Sequence, residues 1–433
     1  MSKYSAALTH MRALSLGLIL ISASCSESSS EFSPQGEEGD TGVLLAKELD
    51  AALSGADVPQ SSLDTGVEAG ELEDTPILRA DTSQDVSSES TQDNDGALSS
   101  EYKDEQDVDV SSDDGGLDNE GLLSSDVQEG STSYPLDELL RLNHLQVKGT
   151  HNSYHQEPDF VFHPSHAYTH PPLDEQLGEH GVRAFELDVH LEGDEVSVYH
   201  ILFIDEKSSC DTFAECLSVM KGWSDANPGH LPIMVWIEAK QETGGQNFED
   251  LGVLDEVIES IFPPERLLTP DDVKAGYGSL REALEKEGWP RLSQVRNRAM
   301  FMVLNGGSGT DAYTHGGQHL EGRAMFMGAS ASEFGAPWAA VAKINDPGSV
   351  HVSEAHAHNI LVASNGCSAE SAEDACFDRL ETALSSGVQM YKDDFVFPIE
   401  GMTYWLDFPD GQPARCNAVT APPECTAEAL ESL

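Results

Sequence analysis

Val182-Arg183-Ala184-Phe185-Glu186-Leu187-Asp188-Val189-His190 is the stretch on which the fold of this chain turns. Its β-branched and aromatic residues favour a strand, and side chains alternate faces along a strand. Glu186 and Asp188, two apart, therefore share one face, and Phe185, Leu187 and Val189 share the other. Two neighbouring carboxylates repel each other and are costly to bury unless a cation joins them.

Further strands are expected on both sides of this one. With Val182–Val189, they are Leu145–Thr150, Val196–Ile201, Ile233–Ala239, Ala299–Leu304, Ala324–Met327, Ile360–Ala363 and Val388–Tyr391. Between them lie the helix-like stretches Leu173–His180, Phe213–Asp225, Phe248–Ile261, Gly278–Glu287 and Ser371–Ser385. Strands that alternate with helices imply a parallel sheet with crossover helices. Eight of them within residues 136–433 fit an α/β fold closed as a TIM-type (β/α)8 barrel.

The informative polar residues fall where these strands end. The first runs into Gly149-Thr150-His151-Asn152-Ser153-Tyr154, the third into Val198-Tyr199-His200, and the fourth into Ile237-Glu238-Ala239-Lys240. Barrel enzymes assemble their sites from the C-terminal ends of different strands, so these groups are expected to converge. Asn152, Glu186, Asp188 and Glu238 form an all-oxygen set with three negative charges, which suits calcium better than zinc. His151 and His200 would frame it, an arrangement suited to splitting a phosphodiester: a metal lowers a hydroxyl pKa, positive donors stabilise the phosphorane, and one histidine protonates the leaving oxygen. Four more histidines, His155, His163, His166 and His170, crowd the loop after the first strand, as a secondary metal site or as loop residues near the entrance. Trp338 lies in a loop that would either join the core or dip into a lipid interface.

The rest of the chain bounds the context. Acidic residues outnumber basic ones by 77 to 23 and the net charge is −54, which excludes backbone-driven nucleic-acid binding. Residues 1–24 read as an export signal: a weakly basic start, a short apolar run from Ala13 to Ile21, then small residues before Cys25. Small residues directly before a cysteine resemble a lipoprotein cleavage box, with Ser22 as a departure; either Cys25 is lipidated or the segment is an ordinary secretory signal. Residues 25–135 are rich in Ser, Asp, Glu and Gly and poor in aromatics, so a disordered acidic linker is expected before a catalytic domain at 136–433. Cys25 aside, six of the seven cysteines fall as local pairs: Cys210 with Cys216, Cys367 with Cys376, and Cys416 with Cys425. Local disulfides in an oxidising compartment are the simplest reading, although six cysteines allow about 15 pairings. The expectation is an exported protein, secreted or anchored to a bacterial cell envelope, and a monomer.

At Gly149–Tyr154, Gly181–Asp188, Val198–His200 and Ile237–Glu238 the sequence resembles the calcium-dependent phosphatidylinositol-specific phospholipase C family. The resemblance is close over Leu142–Lys240 and looser to about Trp405. It implies that His151 stabilises the transition-state phosphate, that His200 protonates the departing diacylglycerol oxygen, and that Asn152, Glu186, Asp188 and Glu238 bind Ca2+. It implies a phosphoinositide-type lipid substrate met at a membrane surface, with the inositol 2-hydroxyl attacking its own phosphodiester. Basic residues that would grip extra ring phosphates are few, which argues for plain phosphatidylinositol or a glycosylated form. Lys240 would face the mouth and meet phosphate, and Asp394 would hydrogen-bond the inositol ring, orient His151, or stand as a loop acid. The nearest rival is a glycerophosphodiester phosphodiesterase, whose first motif has Arg-Gly after the histidine, where Asn152-Ser153 stand here. Rivals of another class are a lipid- or polyol-binding surface lipoprotein and a calcium-stabilised structural domain.

Overall fold

The computed structural model describes residues 134–240, 247–304, 309–427 and 430–431. The expected export signal, Cys25 and the acidic segment up to residue 133 lie outside the described residues. Among the described residues there are ten strands: β1 (Leu145–Thr150), β2 (Ala184–Glu192), β3 (Glu195–Val198), β4 (Ile233–Ala239), β5 (Ala299–Val303), β6 (Met325–Met327), β7 (Val341–Lys343), β8 (Leu361–Asn365), β9 (Met390–Asp393) and β10 (Ala414–Cys416). Eight of them form a nearly closed parallel barrel in the order β1-β2-β4-β5-β6-β7-β8-β9. β9 returns to β1 with Asp393 opposite Thr150. The seam between β6 and β7 holds through the parallel bridge of Gly328 with Val341, where the Ala329 N–H donates to the Val341 carbonyl at 2.8 Å.

One expected strand is corrected and two unexpected ones appear. The third strand is not a barrel stave. β2 runs on past the rim to Glu192, turns at Gly193 and Asp194, and comes back antiparallel as β3 with Val198 opposite Val189. Gly193 holds a φ of 69°, the left-handed region that a two-residue hairpin turn demands and glycine adopts freely. The stave that takes its place is β7, three residues in a run of alanines (Ala339, Ala340, Ala342) with no alternation to betray it. β10, antiparallel to β1, was also not expected.

The register explains the interior. Glu186, Trp236, Met302 and Phe326 lie opposite one another across β2, β4, β5 and β6, so they share one face, and all four are buried. A Cβ on Gly328 would come within 3.2 Å of the Trp236 ring, so the glycine makes room for the indole. The alternate residues point out to the helices: Phe301 meets Phe262 edge-on at 5.6 Å. Arg183, of opposite parity to Glu186, is a structural residue, paired with Glu431 at 2.5 Å and lying 4.8 Å from the Trp223 ring. Trp338 is buried in the core. Disulfides join Cys210–Cys216, Cys367–Cys376 and Cys416–Cys425. Among the described residues no helix is long and apolar enough to cross a membrane.

One outer contact carries a pH signature. Asp255, buried on the helix Gly252–Ile261, accepts hydrogen bonds from the Tyr313 hydroxyl at 2.5 Å and the Ala324 N–H at 3.3 Å. Burial pushes its carboxyl up to about 6. The folded state therefore holds this proton more tightly than the unfolded chain, and stability falls as pH rises from about 4 to about 6. Two units correspond to about 3 kcal/mol. Urea unfolding across this range should show wild type losing about that much relative to Asp255→Asn; parallel curves would refute the assignment.

Candidate active site

β1 delivers its C-terminal residues through a turn lashed to its neighbours. The Thr150 hydroxyl meets Gln176 Oε1 at 2.8 Å, the Ser153 N–H donates to the Glu186 carbonyl at 2.9 Å, and the Glu186 N–H donates to Ser153 Oγ at 2.8 Å. Within this turn Asn152 is buried at a φ of 43°, a left-handed conformation that asparagine tolerates better than most residues. Gly149 permits the close approach of β9: a Cβ there would sit 2.9 Å from Lys392 Cγ.

Each framing histidine is oriented by a buried aspartate. His151 Nδ1 lies 3.0 Å from Asp394 Oδ1, and the other Asp394 oxygen accepts the Ala369 N–H at 3.0 Å. Asp394 is thus positioned to hold the His151 ring. Burial resists a charge on His151, but the Asp394 hydrogen bond and the nearby Glu186 outweigh it and raise its pKa. His200 stands where the β3 hairpin turns back toward the rim, and its Nδ1 lies 2.8 Å from Asp205 Oδ2. His155 Nε2 contacts both Asp205 oxygens, at 2.8 and 2.9 Å. Burial works against the Asp205 charge, yet these two histidines hold its carboxyl below the usual range.

The carboxylates converge as the strand reading requires. Asp188 and Glu238 are opposite in register, and Glu186, Asp188 and Glu238 each offer an oxygen within 4.8 Å of the others. Glu186 is clamped between Lys343 and Lys392, with both ammonium groups 2.5 Å from its oxygens. Burial would raise its pKa, but the two lysines hold it well below the ordinary value. Lys392 is pushed down to about 8 by burial, only partly offset by Glu186. Burial of Lys343 is outweighed by Glu186, which raises its pKa. Lys240 lies beside these carboxylates, its ammonium 2.8 Å from Glu238 and 3.0 Å from Asp188. That lysine and burial pull oppositely on Asp188, and the net shift is downward.

These donors fit a calcium ion. Both Asp188 oxygens are buried and, the Lys240 ion pair aside, accept no hydrogen bond among the described residues. Buried carboxylate oxygens beside two further carboxylates make a hard, oxygen-only donor set.

The sequence did not reveal every participant. Lys343 was missed with its strand, and Lys392 was assigned no role. Asp205 and His155 were given no part in the site, because their pairing spans two loops without periodicity. His155, His166 and His170 are buried. Burial lowers the pKa of His170 to about 4, and its Nε2 lies 2.8 Å from the His151 carbonyl.

A family model described as phosphoinositide phospholipase C, Ca2+-dependent, matches residues 140–195 and 190–418. No curated protein matches the chain. Among solved structures, a Ca2+-dependent phosphatidylinositol-specific phospholipase C from Streptomyces antibioticus is 20% identical with a TM-score of 0.47, over 59% of this chain and 95% of that one. A calcium-dependent phosphoinositol-specific phospholipase C from the Gram-negative bacterium Pseudomonas sp is 16% identical with a TM-score of 0.46, over 65% and 97% respectively. The family match takes in the whole barrel, with both framing histidines and all three carboxylates, and on that match the chain belongs to the calcium-dependent phosphoinositide phospholipase C family, phospholipases of the phosphodiesterase type that use Ca2+.

Proposed function

We propose that this protein cleaves phosphatidylinositol, or a glycosylated form of it, to diacylglycerol and a cyclic inositol phosphate. The observation that carries this reading is two histidines, each fixed by a buried aspartate, beside the carboxylates Glu186, Asp188 and Glu238. Asn152 and these carboxylates would hold Ca2+, which when bound supplies positive charge against the phosphate and acidifies a nearby hydroxyl. The inositol 2-oxygen forms a bond to phosphorus as the bond from phosphorus to the glycerol oxygen breaks. Glu238, with 19% of its side chain exposed against 1% for Glu186 and Asp188, is our choice to take the hydroxyl proton. His151, raised in pKa, donates to the phosphate oxygens as charge builds there. His200 gives a proton to the departing glycerol oxygen. Lys240 would exchange its carboxylate partners for the substrate phosphate.

A lipid rather than a soluble diester is supported by the rim. Phe160, Phe162 and Phe203 are 77%, 66% and 83% exposed on the loops that follow His151 and His200. Those loops are tied by the Lys207–Asp159 ion pair at 2.6 Å. Phe203 is held at a φ of 65°, a strained conformation for a bulky residue at a loop tip. Three exposed aromatics at one mouth suit an interface of acyl chains, the more so for a chain of charge −54 that anionic headgroups repel. Changing all three to serine should cut hydrolysis of vesicles about 10-fold or more through KM, at about 2 kcal/mol per buried ring at most. Hydrolysis of a monomeric short-chain substrate should stay within about two-fold of wild type by the same reasoning; equal losses on both substrates would argue against a lipid-facing rim.

The reading is tested by diacylglycerol and inositol phosphate release from phosphatidylinositol vesicles, with calcium and with chelator. Release is expected only with calcium and is expected to vanish in His151→Ala. Hydrolysis of glycerophosphoinositol alone would establish the glycerophosphodiesterase rival, and silence on both substrates would favour a binding protein.

A further inference from the structure

Three histidines gather on one carboxylate next to the catalytic centre, and they do not play the same part. His155 is committed. Its Nδ1 faces the Tyr168 carbonyl at 3.1 Å and its Nε2 faces Asp205, so both ring nitrogens already have partners. It also stacks on Tyr168 with ring centroids 4.1 Å apart, which fixes its plane. His155 thereby holds Asp205 in place without competing for a ligand.

His166 stands differently. Its Nδ1 is 3.7 Å from Asp205 Oδ2, beyond hydrogen-bond length, while His200 Nδ1 is 2.8 Å from that same oxygen. The His166 and His200 rings meet edge-on, 5.4 Å between centroids. His166, His200 and Asp205 each offer one ligand atom, and the three atoms lie within 4.8 Å of one another. Zinc bonds of about 2.0–2.2 Å in a tetrahedron set ligand atoms about 3.4 Å apart, so only small side-chain shifts separate this arrangement from a three-ligand site with its fourth position open. Two imidazoles and a carboxylate are borderline donors, unlike the oxygen-only set of Glu186, Asp188 and Glu238. Asp205 already has the outer partner, His155, that orients ligating carboxylates in metal sites.

We propose that His166, His200 and Asp205 form a second metal site, selective for a divalent transition ion of the zinc class, whose occupancy switches the enzyme off. The shut-off rests on the reading of His200 as proton donor. A cation on Nδ1 takes the place of the proton shared with Asp205. The ring is then no longer an imidazolium, and the remaining Nε2 proton is that of a neutral ring, too weakly acidic to pass to the glycerol oxygen. One mouth thus carries a hard site that activates and a borderline site that inhibits.

The test uses the full chain in saturating calcium, with His166→Ala and the space-filling His166→Gln, since His166 takes no part in the reaction. Titration with Co2+ alone as a spectroscopic probe should show visible absorption for one tetrahedral equivalent in wild type and none in either variant. Zinc should inhibit phosphatidylinositol release in wild type, and both variants should keep wild-type activity without zinc while needing at least about 10-fold more zinc for half inhibition, the loss expected when one ligand is removed. Zinc binding and inhibition unchanged in both folded variants, or no binding by wild type, would overturn the site. Cobalt binding that depends on His166 but leaves activity untouched would overturn the shut-off and the acid role of His200 with it, while the site itself would stand.

Discussion

His200→Ala is expected to lower kcat on phosphatidylinositol by about 10³-fold, within the range that a positioned general acid supplies. The loss should depend on the leaving group. Diacylglycerol departs as an alkoxide unless it is protonated, whereas p-nitrophenolate is stable unaided. With a p-nitrophenyl inositol phosphate the His200→Ala defect should therefore shrink to about 10-fold or less, because little protonation is then needed. His151→Ala should stay severely impaired on both substrates, since charge builds on the phosphate oxygens whatever leaves. Equal defects of His200→Ala on the two substrates would show that His200 does something other than donate a proton. Asp205→Asn provides the accompanying control: it keeps the shape but removes the charge beside His200 Nδ1, so it should show the same leaving-group dependence in weaker form.

Glu186→Gln is expected to destabilise the calcium-free protein by about 3–5 kcal/mol, the usual result of removing one partner from a buried ion pair. The amide retains the volume, so packing does not account for the loss. Two ammonium groups, on Lys343 and Lys392, would then face each other in a mouth where Glu186 is 1% exposed and Lys392 fully buried. Urea unfolding in chelator measures the effect. Adding Lys343→Met to Glu186→Gln should recover part of the loss by removing one stranded charge, a coupling that neighbours in one network show and independent sites do not. A single variant within about 1 kcal/mol of wild type would mean that the three groups do not form the clamp described.

The sequence disclosed those parts of the site that local patterning controls. β1 and β4 have the bounds read from the sequence, β2 runs over Ala184–Glu192 in place of Val182–Val189, and the shared face of Glu186 and Asp188 followed from strand periodicity. β7 did not, because three residues among alanines carry no period and the strand exists only through its neighbours. Its lysine was lost with it. His200 was read at the end of the wrong kind of element: Val196–Ile201 looks the same as a stave and as the return arm of a hairpin, and only pairing with β2 distinguishes them. Asp205 and His155 are joined across 50 residues of chain, a contact made by the tertiary fold and by no local signal.

The clamp of lysines on carboxylates bears on the order of events in the life of the molecule. Three negative side chains, Glu186, Asp188 and Glu238, are matched by three positive ones, Lys240, Lys343 and Lys392. A bare acidic trio would make maturation wait for the ion. With its own counter-charges built in, the chain should reach its native shape in calcium-poor surroundings and stay silent there. Calcium then acts as a licence granted on arrival, and a pool of finished, dormant enzyme stands ready for it.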